Sequence, residues 1–238
     1  MTAKRLIKYF LKTAVTIAAL AFIVKFAGNS ILKQYISYGI GSCKTSPILC
    51  MEPEKNIVEP KIDTAYRQTL VPQNFPKMSI SVPRGFDLVQ ELIKKPYYKR
   101  RRTRNKAIIY LLIQEPGSFI KLYPDVKKQG VKDDYEFISR LMRAQLDHIE
   151  NITDAFFVVM KSIFIPDIGN PGTAKMIQFR TEEMKGFVNY QLSKPNNYFD
   201  CNVFDSKGVF FKVYIRDIGA HLGLNDVFAI ISTLKPVD

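Results

Sequence analysis

Residues 187–215 read FVNYQLSKPNNYFDCNVFDSKGVFFKVYI, and this run decides the fold. Phe187–Leu192, Tyr198–Phe204 and Val209–Ile215 are rich in aromatic and β-branched residues and read as strands. Asp205-Ser206-Lys207-Gly208 is a hairpin loop with glycine near its end. Upstream, Glu182-Glu183-Met184-Lys185-Gly186 plays the same part after a strand at Ala174–Arg180. A further strand is expected at Phe156–Ile165. Strands joined in order by hairpins exclude a doubly wound parallel sheet, which needs a helix between neighbours.

Working outward, Met78, Ile80 and Val82 alternate with Ser79 and Ser81, a half-buried strand that Pro83 stops. Phe86–Ile93 is a second short element. Ala107–Gln114 is continuous, apolar and β-branched, so it reads as a central strand. Phe119–Tyr123 is expected to pair with it across the turn Glu115-Pro116-Gly117-Ser118. Over Asp133–Ile152 the period changes. Ile138, Leu141, Met142, Gln145, Ile149 and Ile152 recur at helical spacing, and Asp133 with Glu136 forms a capping pair. A closing helix spans Asp226–Lys235, with Asn225 as N-cap and Pro236 beyond its end. The expected class is therefore α+β: a twisted antiparallel sheet with one long amphipathic helix and a C-terminal helix packed on it.

The charge is unevenly distributed. The chain has 238 residues and a formal net charge of +13. Lys4, Arg5, Lys8, Lys12 and Lys25 fall in the first 27 residues, which hold no acidic side chain. Residues 94–106, KKPYYKRRRTRNK, supply eight more positives. Without these two stretches the chain is balanced at 22 basic against 22 acidic residues, so the body is not that of a generally basic protein.

The N-terminus sets the expected compartment. Leu6–Phe26 is 21 residues long, interrupted only by Lys8, Lys12 and Lys25. At about 1.5 Å per residue it can span roughly 30 Å of hydrocarbon. Lys8 and Lys25 can snorkel from either end. The leading positives keep the N-terminus in the cytoplasm and place the remainder outside, in the periplasm or the exterior. A cleaved signal peptide has the same basic start and apolar run, but no small-residue cleavage site follows Val24. An amphipathic surface helix is a further reading. So is a lipoprotein signal at Ile40-Gly41-Ser42-Cys43, although that site lies far beyond the apolar run. The expected organisation is a cytoplasmic tail and transmembrane anchor over 1–28, a Pro-containing juxtamembrane linker over 29–76 with a short helix near Thr64–Leu70, and an extracytoplasmic domain over 77–238. Cys43 and Cys50 bracket a short loop and can pair in an oxidising compartment or stay as free thiols. Cys201 reads as a small buried hydrophobe. The three cysteines lack zinc-ligand spacing.

Entry and exit segments carry a likeness. Ser79-Ile80-Ser81-Val82-Pro83-Arg84-Gly85-Phe86 and Phe228-Ala229-Ile230-Ile231-Ser232-Thr233-Leu234-Lys235-Pro236 resemble the PsbP/Mog1-like fold, which includes small bacterial envelope proteins. The resemblance covers 77–238. It implies a binding or assembly module without catalytic residues, and it assigns no site residue.

The residues offer little catalytic chemistry. His148 and His221 are the two histidines, and no partner can be named for either. No G-x-S-x-G, H-E-x-x-H, P-loop or G-x-G-x-x-G sequence occurs. Asp133-Asp134 and Glu182-Glu183 sit at a helix start and a hairpin tip, where capping and solubility explain them. Asn151-Ile152-Thr153 has the form of a glycosylation sequon. No enzyme, metal or cofactor is expected, although an enzyme without a recognisable motif is one alternative. The candidate contact surface is the basic run: Lys94, Lys95, Tyr97, Tyr98, Lys99, Arg100, Arg101, Arg102, Arg104 and Lys106. Anionic lipid or an acidic protein fits it better than nucleic acid, because an exported domain rarely meets DNA or RNA. The plainer reading is a solvated loop kept open by like-charge repulsion.

Overall fold

The computed structural model describes residues 28, 30–74, 77–89, 97–100, 108–166 and 173–237. The expected membrane segment Leu6–Phe26 lies outside them. Among the described residues no helix is long and apolar enough to cross a membrane.

Gly28 and residues 30–40 are helical (α1). Then come β1 (Ile57–Val58), α2 (Thr64–Thr69), β2 (Val71–Asn74), β3 (Met78–Val82), β4 (Phe86–Val89), β5 (Tyr97–Arg100) and β6 (Ile108–Gln114). Three helices follow: α3 (Ser118–Leu122), α4 (Asp134–Arg143) and α5 (Ile152–Phe164). The chain closes with β7 (Ala174–Arg180), β8 (Met184–Ser193), β9 (Asn196–Asp205), β10 (Phe210–Ile218), α6 (Leu224–Ile231) and β11 (Lys235–Pro236). The class is α+β. The main sheet has eight strands in the order β1-β7-β8-β9-β10-β6-β5-β4, and a second sheet has the order β11-β3-β2. The main sheet is mixed rather than purely antiparallel, because β1 runs parallel to β7.

The sheet is covered on both faces. Ile177, Val188, Cys201, Val213 and Ile215 point to one side and meet Ile80 and Val82 of the small sheet and Phe228 and Ile231 of α6. Met176, Phe187, Phe204 and Phe210 point to the other side and meet Phe119, Phe137, Ile138 and Val158 from α3, α4 and α5. Period-2 alternation thus feeds two cores from the same strands.

Several expected elements change identity. Phe156–Phe164 belongs to helix α5, with Ile165 as its C-cap, not to a strand. Asn151 starts it, its side chain accepting from the amides of Thr153 and Asp154 at 2.9 and 3.0 Å, so the sequon-like triplet acts as a cap. Burial of Ala155, Val158 and Lys161 at three-residue steps fixes the helical period. The expected Asp133–Ile152 helix stops at Arg143; Ala144 is extended and Leu146–His148 forms a separate 3-10 turn. Phe119–Tyr123 does not pair with β6. Gly117 takes a left-handed φ of 82°, which turns the chain into α3, and the Asp134 carboxylate accepts the Ile120 amide. Helix α6 is capped from Gly223, whose amide donates to Asp226, rather than from Asn225.

The stretch expected to be a linker is structured. Ile36 of α1 is buried with Ile48 and Leu49, which sit on a 3-10 turn at Pro47–Cys50. Cys43 and Cys50 form a disulfide with Cα atoms 5.5 Å apart. Asp63 caps α2 by accepting the Tyr66 amide.

Candidate functional site

The basic run enters the fold through β5. Tyr97, Tyr98, Lys99 and Arg100 form a strand between β4 and β6, not a loop. Lys94, Lys95, Arg101, Arg102, Arg104 and Lys106 lie outside the described residues. Tyr97 pairs with Tyr110, Tyr98 with Ile109 and Lys99 with Ile108.

That register continues two cross-strand rows, which from β8 to β6 lie on the helical side of the sheet. In one, Asn189 lies opposite Asp200, Asp200 opposite Tyr214, Tyr214 opposite Tyr110, and Tyr110 opposite Tyr97. In the next, Gln191 lies opposite Tyr198, Tyr198 opposite Arg216, Arg216 opposite Ile108, and Ile108 opposite Lys99. Directly opposed side chains on one face stand about 5 Å apart, so from β8 to β6 each row is a continuous strip. Tyr110 is 40% exposed, and Tyr198, Tyr214 and Arg216 are half-buried. The Tyr110 and Tyr214 rings are 6.3 Å apart, and the Arg216 guanidinium lies 5.8 Å from the Tyr198 ring. Burial, followed by nearby Tyr198, pushes the Tyr214 phenol above its ordinary value.

The strip has a charged anchor. Lys212 approaches Asp200 at 2.9 Å from one carboxylate oxygen and donates to the other at 3.1 Å. It also donates to the Asn202 side-chain oxygen at 3.2 Å, and the Asn202 amide donates to Asp200 at 2.9 Å. The ammonium stands 4.5 Å from the centre of the Phe164 ring. Asp200 is fully buried, and Lys212 is its ion-pair partner. The neighbouring amides are less well served. Asn189 is 1% exposed, and neither polar atom of its side chain has a hydrogen-bond partner. Gln191 donates to Thr173 at 2.8 Å but leaves its oxygen bare. The Arg216 Nε is likewise buried and unpaired. Buried polar groups in folded proteins are nearly always paired, so a cluster of bare ones concentrates unmet hydrogen-bonding capacity at this place.

Other features do different work. Lys161 is fully buried and donates to the carbonyls of Met51, Met142 and Ala144. Burial pulls it down to about 7, against a smaller upward pull from Glu52. It closes the C-terminal end of α4 onto α5. A cleft of about 1080 Å³ opens at the Thr181–Met184 and Asp205–Gly208 turns; its wall mixes Glu59, Arg67, Asp133, Arg180, Glu182 and Glu183. There the Lys185 ammonium lies 4.1 Å from the Tyr135 ring centre. His148 and His221 are both exposed. Cys201 is a core residue whose thiol is pushed well up by burial. Asp147 lies 3.6 Å from the Cys43 sulfur, but the disulfide commits both sulfurs, so this trio offers no thiolate to a metal.

Sequence reasoning missed Asn189, Gln191, Tyr198, Asp200, Tyr214 and Arg216. The signal lay in parity. In three successive strands the polar residues occupy alternate positions, which marks one face. What the sequence could not supply is the register that aligns them.

The described residues therefore define an α+β domain whose mixed sheet carries a tyrosine- and arginine-bearing strip on one face. A scan against models of known protein families matched none, and no curated protein matches the chain.

Proposed function

We propose that the chain is a membrane-tethered, non-catalytic interaction domain held outside the cytoplasm, docking an acidic partner on the β5-side strip of the main sheet. The observation that carries this reading is the register of β5. It joins the one strongly basic segment to Tyr110, Tyr198, Tyr214 and Arg216 in two adjacent rows. Half-buried tyrosines provide area at low entropic cost, and the cations provide steering and orientation. The Cys43–Cys50 disulfide favours an oxidising compartment, which agrees with export behind the apolar segment at Leu6–Phe26. The resemblance to the PsbP/Mog1-like fold points the same way, toward assembly rather than catalysis.

The test uses the full chain in detergent micelles with two probes, poly-glutamate and vesicles containing phosphatidylglycerol. Each cation near an anionic surface contributes about 1 kcal/mol, so replacing Arg100, Arg101, Arg102 and Arg104 with Ser weakens poly-glutamate binding more than about tenfold. Tyr110→Ser weakens it as well, which ties the basic run to the sheet face. Binding also falls as salt rises. Unchanged poly-glutamate binding in both variants contradicts the proposal. Loss on vesicles alone makes lipid headgroups the ligand in place of an acidic macromolecule.

A further inference from the structure

The outer face of α1 carries a row of large side chains in open solvent. Ile31, Tyr35 and Tyr38 are 65%, 78% and 94% exposed. Their spacing of four and three residues places them on one side of the helix. The opposite side is occupied: Ile36 is buried in the helical core, and Leu32 and Ile40 pack against it. Lys33 donates to the Asp147 carbonyl, which pins the helix to the turn before α5. The disulfide lies immediately beyond the helix. Thus α1 is a clamped part of the domain, and its exposed row has a fixed direction.

The described part of the helix begins close to the apolar segment. Phe26 ends the expected membrane span, and Gly28 is already helical. A helix clamped to the domain and described from two residues past the expected span holds its first turns near the bilayer surface. Tyrosine is the side chain enriched at that depth, with its ring among the headgroups and its hydroxyl toward water. An aliphatic side chain in the same row gains free energy by leaving water. We propose that the Ile31–Tyr35–Tyr38 face of α1 lies against the bilayer interface. It fixes the orientation of the domain on the membrane instead of letting it swing on a tether. This inference rests on the membrane-tethered reading above, and its occupant is the lipid headgroup–acyl boundary.

The chain contains no tryptophan, so a single introduced one reports alone. Tyr38 is almost wholly exposed, and Tyr38→Trp leaves the core untouched. The full-length variant is reconstituted in phosphatidylcholine vesicles, floated on a density gradient, and measured with and without lipids brominated near the glycerol end of the acyl chain. The expected result is flotation with a blue-shifted emission that the brominated lipid quenches heavily. Flotation with emission at the position of free tryptophan and no quenching overturns the inference and leaves the anchor standing. Flotation with a blue shift that appears only at high protein-to-lipid ratio, unquenched, assigns the face to a second copy of the chain and also overturns it. Failure to float removes the anchor itself, and the inference with it.

Discussion

Lys161 sits fully buried among three backbone carbonyls, and its ammonium is held down to about 7 by loss of solvent. Its value in an unfolded chain is 10.5. Between those two values the unfolded chain binds more protons than the native one, so stability rises with pH across that window. The penalty for burying the charge is fully present below pH 7 and is relieved as pH climbs toward 10.5. At its steepest this contributes about 1.4 kcal/mol per pH unit. Lys161→Met removes the titration but leaves the carbonyls of Met51, Met142 and Ala144 without a donor, a loss of about 2–4 kcal/mol. Urea unfolding of the two proteins from pH 7 to 9 should show the gap between them widening as pH rises. A gap that narrows means the charged ammonium is the form that stabilises the fold. Lysine was visible at this position in the sequence, but its burial was not, because FFVVMKSIF read as a strand gives no partner for its one charged side chain.

Element identity divides by how much of the cause is local. The meander of β7 to β10 was legible because alternation and glycine-bearing turns lie within the run itself. The α4 start was legible because Asp133 caps it, its carboxylate accepting the Glu136 amide at 2.8 Å. Helix α5 was not, since Phe, Val and Ile favour strands locally, and packing of its buried face in the helical core, together with the Asn151 cap, selects the helix. Likewise α3 depends on Asp134 reaching back to Ile120, a contact between elements. The prolines of 29–76 point to a linker, yet Pro47 begins a 3-10 turn that buries Ile48 and Leu49. The disulfide closes that turn against α1. For a loop of this length the cross-link contributes about 2.5 kcal/mol through the unfolded state. Changing Cys43 and Cys50 together to Ser should therefore cost about that much stability. It should also speed amide exchange over residues 30–40 well before it affects β8 and β9. Equal exchange in α1 with and without the cross-link would show that Ile36 and its neighbours hold the helix unaided.

At the scale of the whole molecule, the fold gathers on one sheet face groups that the sequence scatters over more than a hundred residues. Tyr97 of the basic run, Tyr110, Asp200, Tyr214 and Asn189 share one row only because β6 lies between β5 and β10. The sequence drew attention to the basic run and supplied strands β6 and β8 to β10, but not β5. The crossover that brings β10 beside β6 is set by packing on both faces of the sheet, so the strip was invisible until the strands were ordered. In the proposed function, the strip, the disulfide and the row on α1 all take their meaning from a domain held at a membrane outside the cytosol. Two reporters fused in turn after Asp238 test that most directly, one active only when exported and one only in the cytosol. The account predicts activity from the export-dependent reporter, recovered with the membrane fraction. Activity confined to the cytosolic reporter in a soluble extract would contradict it.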